Sequence, residues 1–257
     1  MKIKINPKYE EMRSFIERIP DVFEQEGRCI FEGRNVIKAF HVKFDGKEKE
    51  VVVKRYKQPN FIQKIGYSFF RSTKAFRAYE NALRLMADGF APPEGFGYIE
   101  TRVKGLIDYC YFISDIDNSM PINDQLNSPE EFNRAMAADY AHFVNRLHQK
   151  GIIDIDLNAG NVLYQLQADG HYTFSLIDIN RMRFYSGYPP MKECVENLTR
   201  FTGRMDVFEC VAREYVKLRG MDEKILQKII GAKKIHDLRW VHRKSILHYF
   251  KRKKLGL

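Results

Sequence analysis

Several features are scarce or absent in this chain of 257 residues. No apolar run approaches the roughly 20 residues that are needed to span a bilayer. The first residues, MKIKINPKYEEMRSF, lack the apolar core of a signal peptide. Low-complexity tracts and internal repeats are also absent, which argues against large disordered regions. The missing apolar segments predict a cytoplasmic protein. The length is sufficient for one large domain or for two lobes around a cleft.

Cysteine is scarce as well. The four cysteines, Cys29, Cys110, Cys194 and Cys210, are widely separated and form no C-x-x-C pair. This spacing gives no indication of a metal or redox motif. We therefore predict that these residues are buried, reduced thiols.

Acidic residues are outnumbered, since 33 Asp and Glu stand against 43 Lys and Arg and give a net charge of +10. Much of the excess lies near the end, in KKIHDLRWVHRKSILHYFKRKKLGL. A phosphate-bearing substrate, an anionic membrane face, nucleic acid and a merely solvated helix face all fit such a tail. No interleaved aromatic motif or zinc pattern favours nucleic acid, so none is expected as a partner. The tail predicts peripheral contact with an anionic membrane.

The first half of the sequence predicts a small antiparallel sheet with one main helix. A short helix over residues 8–19, ended by Pro20, precedes three strands in RCIFEGRNVIKAFHVKFDGKEKEVVVKRYK. The turns fall at residues 33–35 and at Asp45-Gly46, which is a strong hairpin signal. STKAFRAYENALRLMADG predicts a helix whose apolar face carries Phe76, Tyr79, Leu83 and Met86. Two further strands follow in PPEGFGYIETRVKGLIDYCYFIS.

The second half is mainly helical. Ser128-Pro129-Glu130-Glu131 resembles a capping box, and the helix it opens is expected to end at Gly151. In the following IIDIDL, an alternation of period two directs Asp154 and Asp156 to the side opposite the isoleucines. A hairpin about Asp169-Gly170 and further helices complete the chain. We predict an α+β fold of two lobes, residues 1–115 and 116–257, joined near residues 114–124.

Three oxygen-bearing side chains converge in this pattern. Asp156 and Asn161 flank a tight loop, and Asp178 ends the hairpin strand that returns beside it. Adjacent carboxylates repel each other, and Mg²⁺ relieves this repulsion while completing its shell with water and phosphates. A carboxylate that the metal does not need can orient a hydroxyl for attack. The arrangement matches phosphoryl transfer from a nucleoside triphosphate.

The spacing is that of a kinase catalytic loop, Asp-Leu-x-x-x-Asn followed by an Asp on the next hairpin. Here it reads DLNAGN and then LIDIN. Lys54 in VVVKRYK lies on the strand where a kinase carries its phosphate-binding lysine, and Glu80 lies on the next helix. We expect Lys54 to face Asp156, Asn161 and Asp178 across one crevice.

Together these stretches resemble the lipopolysaccharide core kinases, which phosphorylate Kdo or heptose sugars and share the protein-kinase-like fold with aminoglycoside phosphotransferases and RIO kinases. The resemblance rests on FEGRNVIKAF, VVVKRYK, AYENALRL, LHQKGIIDIDLNAGNVLY and LIDINRMRF. It implies that Lys54 contacts the ATP phosphates with Glu80 as its ion-pair partner. Asp156 would be the catalytic base, and Asn161 and Asp178 would bind Mg²⁺. The backbone near Ile113–Asp115 would meet the adenine.

The chain also departs from the kinase pattern. Asp154 replaces the usual histidine, and Asn180 replaces the glycine after the metal-binding aspartate. The glycine-rich loop over the phosphates is reduced to EGRN, in which Gly33 is the only glycine, and no Ala-Pro-Glu segment follows. A peptide groove is therefore not expected. For Asp154, a structural hydrogen bond is favoured over a metal or substrate contact.

The predicted function is ATP-dependent and Mg²⁺-dependent phosphorylation of a lipopolysaccharide inner-core sugar, Kdo or heptose, at the cytoplasmic face of the inner membrane. A RIO-like protein kinase, another small-molecule phosphotransferase of the same fold and a pseudokinase scaffold remain alternatives. The Asp-x-Asp pairs at 115–117 and 154–156 also fit a glycosyltransferase, but that interpretation leaves Lys54, Glu80 and Asn161 unexplained. Lys54 and Glu80 as a surface ion pair, and the Asp and Asn residues as turn formers, are the plain structural alternatives.

Overall fold

The structure is a computed structural model that describes residues 1–254, with side chains described as far as residue 245. It divides into two compact units. The first contains Met1–Asn118 and Ser175–Arg181, and the second contains Ser119–Phe174 and the residues from Met182 onward. The end of the predicted membrane-binding tail lies outside the described side chains. The division at residue 115 stays a prediction.

The first unit is built on a six-stranded antiparallel sheet with the strand order β1-β5-β6-β4-β3-β2. Its elements, in chain order, are β1 (Lys2–Ile5), a 3₁₀ segment (Pro7–Met12), α1 (Arg13–Val22), β2 (Arg28–Glu32), β3 (Val36–Phe44), β4 (Lys47–Arg55), α2 (Phe61–Ile65), a π-helical turn (Gly66–Phe70), α3 (Lys74–Ala87), β5 (Gly95–Val103) and β6 (Leu106–Asp115).

The predicted run of three strands is confirmed by β2, β3 and β4. Asp45 and Gly46 between β3 and β4 both have positive φ, 50° and 70°. Two successive residues in the left-handed region give a tight turn whose twist matches that of the flanking strands. Alternate residues of β4, such as Val51 and Val53, are fully buried in the core between α1 and the sheet.

Helix α1 differs from the prediction, because Pro20 lies inside it and the helix continues to Val22. A proline in the last turn removes only one backbone hydrogen bond, and this turn buries Ile19 beside Ile16. The packing of that apolar face outweighs the lost bond.

Helix α3 is confirmed in position, and its predicted buried face is correct for Tyr79 but not for Met86. Thr73 caps it, since its Oγ1 accepts a hydrogen bond of 3.2 Å from the backbone N–H of Phe76. Its buried side chains are Ala75, Ala78, Tyr79, Asn81, Ala82 and Leu85. Met86, predicted on this face, is 39% exposed. The alanines let the helix pack closely on the sheet, so the buried face is centred on Ala78 and Ala82 and turned away from Met86.

The second unit combines helices with two small sheets, of order β10-β9-β7 and β11-β8. Its elements are β7 (Met120–Pro121), α4 (Asn123–Leu126), α5 (Arg134–Gln149), β8 (Ile152–Asp154), a 3₁₀ turn (Ala159–Asn161), β9 (Val162–Leu166), β10 (Tyr172–Leu176, whose last two residues belong to the first unit), β11 (Met182–Phe184), α6 (Met191–Leu198), α7 (Met205–Leu218) and α8 (Glu223–Lys254).

Helix α5 begins later than predicted. Asn133, not Ser128, is its N-cap, with its side chain accepting a hydrogen bond of 3.0 Å from the backbone N–H of Met136. The predicted end is confirmed, since Gly151 has φ +74° and a Cβ there would lie 2.2 Å from the backbone oxygen of Tyr185. Only glycine fits this conformation and this close approach.

The fold class is α+β, as predicted. Within the described residues, none of the helices combines the length and the apolar content that crossing a bilayer requires. Of the four cysteines, only Cys110 and Cys194 are buried, and Cys29 is exposed on β2, an edge strand of the sheet. The prediction that all the thiols are buried was therefore wrong for Cys29, and Cys210 is only half-buried.

Candidate active site

Lys54 and Asp178 form an ion pair in the first unit. Lys54 lies in the interior of the sheet on β4, opposite Ile37 of β3 and Phe112 of β6. Its Nζ lies 2.5 Å from Oδ1 of Asp178, and only 13% of its side chain is exposed. The ammonium also lies 5.4 Å from the ring centroid of Tyr56. These two contacts hold the ammonium group of Lys54 in one position, although a lysine side chain is otherwise flexible.

Asp178 has an unusual backbone conformation. Its φ is +59°, which is uncommon for a residue with a side chain and is frequent at functional sites. Besides Lys54, the side-chain amide of Asn180 donates a hydrogen bond of 2.7 Å to Oδ1. Within the described part of the chain, the second oxygen, Oδ2, accepts no hydrogen bond. This oxygen is therefore available to a cation.

Helix α3 holds the chain around Asp178 in place. The side-chain amide of Asn81 donates a hydrogen bond of 2.6 Å to the backbone oxygen of Ile179, and both residues are buried. Nε of Arg77 donates one of 3.0 Å to the backbone oxygen of Asn180. Sequence reasoning missed both residues, although their spacing of four places them on one helix face.

Glu80 does not take its predicted role. The residue is exposed, and among the described residues no ion pair joins it to Lys54, whose carboxylate partner is Asp178 instead. The prediction rested on the place of Glu80 on the helix that follows the strand of Lys54. Because the buried face runs through Ala78 and Ala82, the helix presents Arg77 and Asn81 to the segment at Asp178.

Further cations lie near Lys54. Burial, followed by the nearby guanidinium of Arg34, lowers the pKa of Lys74. The Nζ of Lys74 lies 5.9 Å from the same Tyr56 ring that Lys54 contacts. Arg34 follows Gly33 in the turn between β2 and β3, where the N–H of Gly33 donates to the backbone oxygen of Asn35 at 3.1 Å. The reduced glycine loop thus contributes a cation to this cluster.

The predicted adenine contact requires a correction. Ile113 is fully buried inside the sheet, opposite Val53 of β4 on one side and Gly97 of β5 on the other. Because both edges of β6 are paired at this position, the backbone of Ile113 is not available to a nucleotide base. Asp115 ends the strand, and its Oδ2 lies 2.7 Å from Nζ of Lys49.

In the second unit, side chains close the loop that carries Asp156. The side-chain amides of Asn158 and Asn161 donate hydrogen bonds of 2.8 and 2.9 Å to the backbone oxygen of Asp156. Asp154 Oδ1 accepts one of 2.9 Å from the backbone N–H of Asp156. Since the amide nitrogen of Asn161 is the donor here, its Oδ1 remains as an oxygen donor for a cation.

Asp154 does not share the environment of Asp156, contrary to the predicted alternation. Strand β8 ends at Asp154 and is only 3 residues long, so period two does not extend to Asp156. Asp154 is 1% exposed. Its hydrogen bond to the loop is the structural role that the sequence favoured.

A buried network supports this loop from behind. The amide of Asn197 donates a hydrogen bond of 2.5 Å to the backbone oxygen of Asp154, and its Oδ1 lies 3.0 Å from Nε2 of His148. Nδ1 of His148 lies 2.7 Å from the hydroxyl of Tyr215. Burial lowers the pKa of His148 to about 4. A neutral imidazole, protonated on Nε2, satisfies both contacts. Sequence reasoning missed Asn197, which has no motif of its own.

The oxygen donors present suit Mg²⁺. Among the described residues, no group of three or more His, Cys, Asp or Glu side chains is arranged to hold a metal. Asp178 and Asn161 each offer an oxygen without a described hydrogen bond, which is the hard-donor chemistry that Mg²⁺ prefers when phosphates and water supply the rest. We therefore consider the residues compatible with this metal.

Comparisons with known proteins agree with this chemistry. A model of the lipopolysaccharide kinase (Kdo/WaaP) family matches residues 25–221. A search of curated proteins found no match. Among solved structures, one of WaaP in complex with acyl carrier protein is similar, with a TM-score of 0.56 and 15% identity over 97% of this chain and 100% of that chain. This similarity confirms the protein-kinase-like fold. Because the family match spans well over half of its length, the chain belongs to the lipopolysaccharide kinase (Kdo/WaaP) family, a family of kinases.

Proposed function

We propose that the protein transfers the γ-phosphoryl group of ATP to a hydroxyl of a lipopolysaccharide inner-core sugar, Kdo or heptose. The observation that carries this proposal is the 2.5 Å contact between Lys54 and Asp178, with Asp178 in a strained conformation. In phosphoryl transfer, a lysine binds nucleotide phosphates and an aspartate binds the metal. The family match supports the class of acceptor.

Each polar residue has one role in this proposal. Lys54 binds the α- and β-phosphates, with Lys74 and Arg34 adding positive charge where the triphosphate is negative. The turn at Gly33 covers the phosphates, and the chain at Asp115 lies at the adenine end. Asp178 and Asn161 hold Mg²⁺, which, when bound, neutralises charge on the phosphate oxygens.

Asp156 is the proposed catalytic base. It orients the acceptor hydroxyl and takes its proton late in the reaction, since the transition state of phosphoryl transfer is loose. The oxygen of the acceptor forms its bond to the γ-phosphorus as the bond to the β-γ bridging oxygen breaks, and ADP leaves. Catalysis comes from positioning and from charge stabilisation.

We further propose peripheral contact with an anionic membrane at the cytoplasmic face, where a lipid-linked acceptor is found. In addition to the basic tail, the segment of residues 61–70 supports this contact. Its large apolar side chains are 68% to 81% exposed: Phe61, Ile62, Phe69 and Phe70. Lys57 and Arg71 flank it, and Lys64 anchors it to Asp108 of β6 at 2.7 Å. Exposed apolar residues between basic ones are typical of interfacial segments.

The membrane proposal is tested by vesicle sedimentation. We expect the double variant Phe69→Ser, Phe70→Ser to bind vesicles containing phosphatidylglycerol about tenfold more weakly, because both rings insert below the headgroups. Leu166→Ser, which changes a side chain that is 61% exposed in the second unit, is the matched control. Equal binding by both variants would remove the segment from the interface.

The kinase proposal is tested with labelled ATP, Mg²⁺ and three acceptors: a Kdo-bearing glycolipid, a heptose-bearing core oligosaccharide and a protein extract. We expect transfer to one of the two sugars only. Label on proteins would favour a RIO-like kinase. The absence of both transfer and nucleotide-induced thermal stabilisation would favour a scaffold without catalysis.

A further inference from the structure

The second unit contains a cleft of about 590 Å³ that has no role in the chemistry described so far. Its walls are the 3₁₀ turn after Asp156, the connection between α6 and α7, and one face of α8. The lining residues that matter here are Asn158, Gly160, Arg200, Arg204, Lys233 and Trp240.

One wall of the cleft is joined to the catalytic loop. Asn158, which lines the cleft, donates the 2.8 Å hydrogen bond to the backbone oxygen of Asp156. The next residue, Ala159, donates from its backbone N–H to the backbone oxygen of Phe201 at 3.1 Å. The cleft is therefore built around the turn that follows the proposed base. A molecule bound in it lies beside that turn.

The lining is electropositive. Three cations, Arg200, Arg204 and Lys233, stand against one carboxylate, Asp237. Arg204 already contacts Asp206 at 2.5 Å. Arg200 is exposed, and its guanidinium forms no hydrogen bond or ion pair with any residue whose side chain the structure describes.

Lys233 is the most deeply buried cation of the cleft. It is 1% exposed, and its Nζ lies 2.5 Å from Oδ1 of Asp237. An ammonium group has three donors, and Asp237 is its one hydrogen-bond partner among the described side chains. Asp237 balances this charge, and the remaining ammonium donors have no described acceptor, so they are open to an anionic ligand.

Trp240 adds an aromatic surface to the cleft. It is the single tryptophan of the chain and is 49% exposed. The Nζ of Lys244 lies 4.1 Å from its ring centroid. An aromatic ring next to cations suits a ligand that has both an apolar C–H face and negative groups. A sugar that carries carboxylate or phosphate groups has this combination.

We infer that this cleft binds the anionic sugar of the acceptor, through its carboxylate or phosphate groups and with its ring against Trp240. The inference rests on the proposed function, since the cleft adjoins the turn that follows Asp156. It assigns part of the acceptor specificity to Arg200 and Lys233, which no kinase motif includes.

Binding is measured first, without nucleotide, by the fluorescence of Trp240. The probes are a Kdo-bearing oligosaccharide, a neutral oligosaccharide of the same size and inorganic phosphate. We expect the Trp240 fluorescence to change saturably with the charged sugar and to stay unchanged with the other two probes. An equal change with the neutral sugar, or with phosphate at the same concentration, would overturn the assignment to an anionic sugar.

The variant Arg200→Ala then tests whether Arg200 contributes to binding of the charged sugar. The side chain is exposed and has no described partner, so its loss leaves the fold intact. We expect the Kd for the charged sugar to rise about tenfold, as for the loss of one charge-assisted contact. Arg239→Ala, an exposed arginine on α8 outside the cleft lining, is the matched control and is expected to bind normally.

Kinetics separate this inference from the proposed function. Arg200→Ala is expected to raise KM for the acceptor about tenfold while kcat and KM for ATP stay unchanged, because binding is lost equally in the ground and transition states. An unchanged KM for the acceptor, together with an unchanged Kd, would overturn the inference and leave the kinase proposal in place. Charged-sugar binding that depends on Arg200 but is followed by no transfer would support the cleft and remove the kinase proposal.

Discussion

The two aspartates of the kinase motif are held in different ways. Asp178 is held by its side chain, since Lys54 and Asn180 both donate to Oδ1, and its backbone adopts a strained conformation. The loop of Asp156 is held through backbone atoms of that residue, by contacts from Asp154, Asn158 and Asn161. A metal ligand needs an oxygen at a fixed place, whereas a base needs a loop that holds it in position. The difference matches the two proposed roles.

The largest effect is expected at Asp156. Asp156→Asn keeps the shape of the side chain and removes its basicity, so we expect kcat to fall about 10³-fold. The KM for ATP should change less than about twofold, because the backbone contacts of the loop remain. Steady-state transfer of labelled phosphate and nucleotide binding measure the two quantities.

Asp169→Asn is the control for this variant. Asp169 is an exposed carboxylate in the β9–β10 turn of the same unit, and asparagine suits that turn equally well. If kcat falls equally in the two variants, or if Asp156→Asn turns over normally, Asp156 has no role in catalysis.

The buried network behind the Asp156 loop predicts a pH effect on stability. Burial lowers the pKa of His148 to about 4, so the unfolded chain, with a histidine pKa near 6.5, binds the proton first as the pH falls. The contribution of His148 is therefore complete above pH 6.5 and declines towards pH 4, by about 3 kcal/mol in all.

His148→Gln tests this effect, since glutamine keeps one donor and one acceptor but does not titrate. The free energy of unfolding, measured by urea denaturation at pH 7 and pH 4, should fall by about 3 kcal/mol more in the wild type than in the variant. Parallel pH profiles would show that the network does not depend on a neutral histidine.

A smaller effect is expected at Asp178. Asp178→Asn removes the charge but tolerates the positive φ, so we expect affinity for Mg²⁺-ATP to fall about 100-fold with little change in the fold. Asp178→Ala should lose the same affinity and about 1 kcal/mol more in the free energy of unfolding, because alanine is strained at this φ. Nucleotide titrations with and without Mg²⁺, and urea denaturation, measure these effects.

Asp108→Asn is the comparison for Asp178, because Asp108 also pairs with a lysine, Lys64 at 2.7 Å, in the same unit. It should leave nucleotide affinity unchanged. If the Asp178 variants keep the metal dependence of the wild type, Asp178 is only the partner of Lys54.

Local signals in the sequence predicted most of the strands and the loop at Asp156. The Asp-Gly hairpins and the Asp-Leu-x-x-x-Asn spacing are short-range features, and the structure contains them where expected. The errors arose where packing between distant segments decides the outcome. The face of α3 depends on how closely its alanines approach the sheet, and the burial of Ile113 depends on which strands lie on either side of β6. Strand β8 also ends at Asp154, which is buried, and no turn residue in the sequence marks this end of the strand.

The smallest effects are expected on α3, where sequence and structure disagree. Asn81→Ala removes the buried hydrogen bond to Ile179, and we expect KM for ATP to rise about fivefold as the chain at Asp178 loosens. Glu80→Gln, one residue earlier and exposed, should change KM less than about twofold, whereas an ion-pair partner of Lys54 would have a large effect. Steady-state kinetics with varied ATP measures both variants. If Glu80→Gln has the larger effect, Glu80 acts on Lys54 during the reaction, and the contacts of Asn81 are only structural.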